Sequence, residues 1–351
     1  IHKFPAMIKR ASKLFVSEFI PRVSRTFALA IKFLPSELRH PVFSAYLLCR
    51  LADTIEDTPL IKSSEKSERL KYLENLLNSA SDGVSISSEE LVPLYHAIDP
   101  AHGDDHRLLR KSAELFQVLD ELPAESRKII YHWAGEMAGG MAKYSYLANL
   151  NDGRIKALEN IKHWDRYCYY VAGTVGRMLT ELFIARYQID DRVAGELNRL
   201  CDSFGLGLQK VNTIKDVPGD MKRGVVFLPA DVMEKHGLSP DMLGKTGNND
   251  AKKALLNELL DMASIHLDDA VEYTILLPER LKGVRMFLTV PILLAQATIS
   301  QLAKYPVQAL EGPPVKISRH DVARLTAAAR LHSSSNKVLS NYYLKLKHKR
   351  T

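Results

Sequence analysis

Cysteine is scarce in this chain. Its three cysteines, Cys49, Cys168 and Cys201, are far apart and odd in number, so neither a disulfide framework nor a cysteine-based metal spacing is written into it. Buried free thiols in a reducing compartment are the expectation. Long apolar runs are lacking as well. The longest, residues 287–299, is interrupted by Thr, Pro and Gln, and it falls short of the roughly 20 residues that a membrane-spanning helix needs. No stretch interleaves basic and aromatic residues in a nucleic-acid-binding module, and no Gly-rich dinucleotide loop occurs. Period-two alternation is nearly absent, and no repeat or low-complexity linker divides the 351 residues. The first five residues carry no signal-peptide pattern. These absences predict a cytoplasmic, all-α chain forming one domain over residues 1–351, with no nucleic-acid partner.

What is present begins with ordinary globular composition, 46% hydrophobic and 25% charged, with a net charge of +7. A positive balance invites a polyanion or an anionic lipid, and substrates bearing diphosphates account for it equally well. Part of the excess sits in the terminal run Lys345-Leu-Lys-His-Lys-Arg350. Helical periodicity recurs over residues 5–19, 24–33, 61–80, 105–119, 124–149, 155–187 with one break, 190–217, 250–274, 285–304 and 318–347. Residues 221–229 read as a loop and 305–317 as an extended surface connector.

Two stretches carry chemistry. Tyr46-Leu-Leu-Cys-Arg-Leu-Ala-Asp-Thr-Ile-Glu-Asp57 reads as a helix entered at Pro35-Ser36 and ended by Pro59. Tyr46, Arg50, Asp53 and Asp57 recur at helical steps and stack on one side, while Leu47, Leu48, Leu51, Ala52 and Ile55 cover the rest. Burying carboxylates is costly unless they meet opposite charge, so the stripe is expected to line a cavity that holds a hard cation.

The second stretch is Gly205-Leu-Gly-Leu-Gln-Lys-Val-Asn-Thr-Ile-Lys-Asp-Val-Pro-Gly-Asp220. Gln209, Asn212, Asp216 and Asp220 again share a face, with Leu206, Leu208, Val211, Ile214 and Val217 as the apolar face. One Asp-x-x-x-Asp on a charged surface helix carries little information. Two, each on an apolar helix, suit Mg²⁺, which takes oxygen ligands and keeps coordination positions for phosphate, and which turns a diphosphate into a leaving group.

Four blocks in order, Ser24-Arg-Thr-Phe27, Asp53-Thr-Ile-Glu-Asp57, Tyr167-Cys-Tyr-Tyr-Val-Ala-Gly-Thr-Val-Gly176 and Gln209-Lys-Val-Asn-Thr-Ile-Lys-Asp216, resemble the squalene and phytoene synthase family over residues of about 20–325. The resemblance implies an all-α, isoprenoid-synthase-type helical bundle around a central cavity, coupling two prenyl diphosphates head to head. It implies that Asp53, Asp57, Asn212, Asp216 and Asp220 hold Mg²⁺, with the four aspartates, Tyr46 and Tyr167 as the catalytic set. Ser24, Arg25, Arg50, Gln209, Asn212 and Lys215 would bind substrate diphosphate, and Phe287 the prenyl chain. Tyr167 is a candidate for removing the proton lost as the cyclopropane closes, with the released diphosphate the alternative base. The glycines of Met137-Ala-Gly-Gly-Met141 would let backbone approach the prenyl chain. Two departures stand out: Gly219 replaces an acidic residue, and Val225 stands where the family often has Arg.

Members of this family differ in the step after cyclopropane formation. Squalene-type enzymes quench a second cation with hydride from NADPH, whereas phytoene- or dehydrosqualene-type enzymes lose a proton. Gly312-Pro-Pro-Val-Lys-Ile-Ser-Arg319 resembles a C-terminal stretch of the squalene type, and with it Lys316 and Arg319 become candidates for the phosphates of NADPH. A catalytically silent assembly factor of the same fold is the rival of another class, opposed by the presence of all four aspartates. Prenyl substrates also imply peripheral contact with a membrane. Oligomeric state is not legible.

Overall fold

The computed structural model describes residues 10–23, 26–147 and 153–348. By its internal contacts the chain divides into two compact units, Ile1–Tyr146 with Arg177–Ile189, and Leu147–Gly176 with Asp190–Thr351. Each is described by itself.

The first unit is helical throughout its described secondary structure. Its central element is the helix Ser36–Asp57, whose apolar residues Leu47, Leu48, Leu51, Ala52 and Ile55 are all buried. Each leucine or isoleucine of that set contributes about 1.5–3 kcal/mol through removal from water. Pro35 stands at the N-cap without a side-chain cap bond. The Arg39 guanidinium instead donates twice to the Leu34 carbonyl, at 3.0 and 2.7 Å. Thr58 ends the helix in extended backbone, as a residue before proline should, and the Lys66 ammonium donates to the Glu56 carbonyl of the last turn at 2.6 Å.

Helix Ser63–Ser81 packs on helix Ala124–Tyr144 across Gly135 and Gly139. A Cβ at Gly139 would collide with the Glu74 carboxylate. That close approach is to a neighbouring helix, so the expectation that this glycine opens a path for a prenyl chain is not met. The expected helix 105–119 is two helices, Asp104–Arg110 and Ser112–Asp120, parted at Lys111.

The second unit adds one small parallel sheet. Strand Lys156–Leu158 pairs with Val225–Pro229, Lys156 opposite Val225 and Ala157 opposite Val226, before a shift in register. All five residues of the second strand are buried. A strand buried on both faces shows no alternation, which is why 221–229 reads as a loop in the sequence; the helix expected from 155 starts only at Ile161, because residues 156–158 are spent on the partner strand.

From there the chain runs Ile161–Cys168, a π-helical segment Tyr169–Gly173, and Thr174–Arg186. The π segment lies against helix Asp191–Lys215, where a Cβ on Gly205 would strike the Ala172 carbonyl. The Thr174 hydroxyl donates to the Tyr170 carbonyl at 2.8 Å, satisfying a group the wider turn loosens.

Helices Asn249–Leu276 and Lys282–Lys304 form much of this unit's core. Lys282–Lys304 is 23 residues with a mean hydropathy of 1.5 over its most apolar window, long and apolar enough to cross a membrane, contrary to the shorter run expected; 72% of that window is buried inside the protein. The connector contains a helix, Pro306–Glu311, and the expected helix 318–347 is broken into Arg319–His332 and Asn336–Lys347. Cys49, Cys168 and Cys201 are buried thiols in no disulfide, as expected.

Candidate active site

In the first unit the polar stripe of Ser36–Asp57 is the less buried face of its helix. Tyr46, Arg50 and Asp53 are half-buried and Asp57 is exposed. Tyr46 stacks on Phe27, ring centroids 5.3 Å apart. Ser24 and Arg25 lie outside the described residues.

The sequence places Arg50 beside a diphosphate and as the counter-charge to Asp53 and Asp57. Its guanidinium is 3.6 Å from Asp53, but its bidentate partner is Asp105, at 3.0 and 2.9 Å. Asp105 lies in the first turn of a different helix, Asp104–Arg110, 55 residues away, and nothing local in the sequence marks it. Burial, with Asp57 and Asp105 adding negative charge, pushes the Asp53 carboxyl up to about 7 against the pull of Arg50. Among the described residues, Asp53, Asp57 and Asp105 thus gather about the Arg50 guanidinium. Their oxygens and negative charge fit a hard divalent cation.

In the second unit, Gln209 and Asp216 are half-buried and Asn212 exposed. Lys215 donates to Asn212 Oδ1 at 3.0 Å and lies 3.4 Å from Asp216, so it neutralises the stripe it was expected to help at the diphosphate. Asn212 in turn donates to Gln209 Oε1 at 3.4 Å.

Asp220 is the buried member, 6% exposed. Arg223 reaches back from the 3₁₀ turn Met221–Arg223 to donate to its Oδ1 at 2.6 Å. Gly224 closes that turn in the left-handed region, φ 76°, and Val225 begins the buried strand. An Arg at position 225 would place its charge on a buried strand.

Tyr167 is 4% exposed and lies nearly parallel to Phe227 of that strand, centroids 4.3 Å apart and planes at 6°. Phe287 is a core residue at 1% exposure. Lys316 and Arg319 are exposed on either side of Ser318, which caps the next helix by accepting from the Asp321 amide. Val315, buried at 7%, anchors the connector beside them. Two exposed cations suit the phosphates of a dinucleotide.

Among the described residues, no group of three or more His, Cys, Asp and Glu side chains converges on a point where it could hold a metal. That is compatible with Mg²⁺, which binds through one or two carboxylates and takes its other ligands from phosphate and water.

The squalene/phytoene synthase family model matches residues 20–321. The chain belongs to the squalene/phytoene synthase family. Among members of the family, it is 30% identical to squalene synthase ERG9 of Candida albicans over 339 residues, covering 95% of this chain and 70% of that protein. It is 28% identical to the squalene synthases of Bos taurus and Homo sapiens, covering 95% of this chain and 73% of each.

Among solved structures, TcSQS in complex with the ligand BPH1237 superposes with a TM-score of 0.77 at 27% identity, covering 96% of this chain and 92% of that one. A dehydrosqualene synthase superposes at 0.66 with 22% identity, covering 91% and 95%, a likeness of fold. The all-α fold expected from the sequence is the fold of the family.

Proposed function

We propose that the protein condenses two molecules of farnesyl diphosphate head to head into presqualene diphosphate and converts this to squalene. The observation that carries the reading is the 30% identity to a squalene synthase over 95% of the chain. Mg²⁺, when bound, supplies Lewis-acid stabilisation of the departing diphosphate, and Asp53, Asp57, Asn212, Asp216 and Asp220 are the residues that would hold it. NADPH, when bound, supplies the hydride, with Lys316 and Arg319 on its phosphates.

The chain's own residues do the rest. Ser24, Arg25, Arg50, Gln209 and Lys215 bind and orient the diphosphates. Arg50 does so with its plane fixed by Asp105, a preorganisation that lowers the cost of positioning. Lys215 leaves Asn212 and Asp216 when diphosphate arrives. Tyr46, stacked on Phe27, orients substrate at the first stripe. Tyr167, its ring held against Phe227, gives its phenolic proton to the released diphosphate as its Oη takes the proton lost in cyclopropane closure. Phe287 contributes to the apolar wall that keeps water from the cations. One prenyl transferase domain over residues 1–351 and peripheral contact with a lipid surface, where a hydrocarbon product must go, belong to the same reading.

Incubation with farnesyl diphosphate and Mg²⁺, with and without NADPH, tests it. Squalene formed only with NADPH is the expected result. A desaturated hydrocarbon formed without NADPH overturns the squalene reading, and no Mg²⁺-dependent consumption of farnesyl diphosphate overturns the prenyl transferase reading altogether.

A further inference from the structure

Lys210 lies on the second aspartate helix, next to Gln209, and its ammonium faces inward at 2% exposure. A buried ammonium persists only when its charge and its protons are met. Asp165 Oδ1 meets its charge as an ion pair at 2.5 Å, outside hydrogen-bond alignment, His266 Nε2 accepts one of its protons at 3.0 Å, and the Trp164 ring lies 4.6 Å from Nζ as a cation–π partner.

His266 is itself oriented. Ser203 Oγ is 2.6 Å from its Nδ1 and 2.5 Å from Asp269 Oδ2. Lysine has no acceptor, so Nε2 must accept and the proton of the neutral ring sits on Nδ1. Nδ1–H then donates to Ser203, and the serine hydroxyl donates to Asp269. With its proton on a carboxylate and its oxygen engaged by the imidazole N–H, Ser203 is no nucleophile; the chain of groups is a strut. Burial and the Lys210 charge press the His266 pKa down to about 4, which keeps the ring in the neutral form the strut requires.

A second pin lies one turn along the helix. Trp164 Nε1 donates to Thr213 Oγ1 at 3.0 Å, and Thr213 donates to the Lys210 carbonyl at 3.0 Å. Adjacent residues of one helix, Trp164 and Asp165, thus grip Lys210 and Thr213, which share a face of another. Fixing that face inward turns Gln209, Asn212 and Asp216 to the less buried side. Tyr167 is two residues beyond Asp165 in the same helix, Ile161–Cys168.

We propose that Lys210, gripped by Trp164, Asp165 and His266, is a positioning residue that locks Tyr167 and the Gln209–Asn212–Asp216 stripe into one register. The inference rests on the proposed function for the meaning of that register. It assigns Lys210 no contact with substrate.

The test uses the full chain with Lys210→Met, Asp165→Asn, His266→Gln and the Lys210→Met/Asp165→Asn double variant. Turnover, KM for farnesyl diphosphate and the Mg²⁺ concentration for half-maximal rate are measured well below each variant's melting temperature. Each single variant is expected to lower kcat by about 10-fold or more and to raise the Mg²⁺ requirement, with KM changed by less than about three-fold. The double variant is expected to be no worse than the poorer single one, because one strut breaks only once.

Folded single variants with wild-type kcat and Mg²⁺ requirement overturn the proposal, as do losses that multiply in the double variant. If Lys210→Met does not fold, Asp165→Asn and His266→Gln carry the same comparison. An inactive wild-type protein refutes the proposed function; an active one with unaffected variants refutes this inference alone.

Discussion

Arg50 and Asp105 are joined by two parallel hydrogen bonds, Nε to Oδ1 at 3.0 Å and Nη2 to Oδ2 at 2.9 Å. The fork fixes the plane of the guanidinium while its third nitrogen stays 3.6 Å from Asp53. Removing Asp105 frees Arg50 to close on Asp53 and compete there with a cation. Asp105→Ala is therefore expected to raise the Mg²⁺ requirement and to cut turnover by about 10-fold. The stability cost is about 1 kcal/mol or less, because the pair is partly solvated. An unchanged Mg²⁺ titration would show that Asp105 has no hold on the site. Arg50→Lys should resemble Asp105→Ala, since an ammonium cannot reproduce the fork.

Asp53 links the metal-free protein's stability to pH. Its pKa is about 7 in the fold against an ordinary 3.8, so between those values the folded chain holds its proton more tightly than the unfolded chain. Stability from this group is full below about pH 4 and declines as pH rises to about 7. Asp53→Asn removes the titration. In thermal melts without metal, the variant should gain on the wild type as pH rises from 4 to 8, while losing activity. A Tm difference that stays flat across that range would contradict the assigned shift.

Arg223 holds the buried Asp220 carboxylate at 2.6 Å. Arg223→Ala leaves that carboxylate without this partner and is expected to cost about 1–3 kcal/mol. Mg²⁺ with inorganic diphosphate should then raise the melting temperature more in the variant than in the wild type, because the cation takes over the charge that Arg223 offset. Equal shifts in both proteins would argue against Asp220 as a ligand.

Arg285 is completely buried and donates to the carbonyls of Thr274, Leu277 and Ser333 and to Asn336 Oδ1, at 3.1, 2.6, 2.6 and 2.7 Å. Those carbonyls lie at the end of Asn249–Leu276 and in the break before Asn336–Lys347. Arg285→Met strands them in the interior, at an expected cost of about 3–5 kcal/mol in urea unfolding. Arg285→Lys should recover only part of it, since an ammonium cannot span the same acceptors. A loss under 1 kcal/mol would mean that water replaces the guanidinium.

The helices were legible where burial leaves one polar face. Ser36–Asp57 shows its apolar set within 22 residues and its stop at Pro59 just beyond. The strand Val225–Pro229 was not legible, because all five residues are buried and its partner lies far upstream. Nor was the break between Arg319–His332 and Asn336–Lys347, where a carbonyl is satisfied by Arg285 from another helix. At the site, the carboxylate stripes could be read from their spacing. Asp105 could not, since an acid opening a short helix looks the same whether or not an arginine meets it.

The amino-acid sequence by itself determined the helical class, the two carboxylate stripes and the family, because periodicity and motif order are properties of neighbouring residues. Only the tertiary structure decided which charges meet. It put Asp105 on Arg50, Arg223 on Asp220, and Asp165 with His266 on Lys210. It also put Glu74 against Gly139, a glycine read from sequence as room for substrate. The physical reason is shared: the partner of a buried charge or of a bare backbone is chosen by packing between distant segments, and chain order alone does not record it.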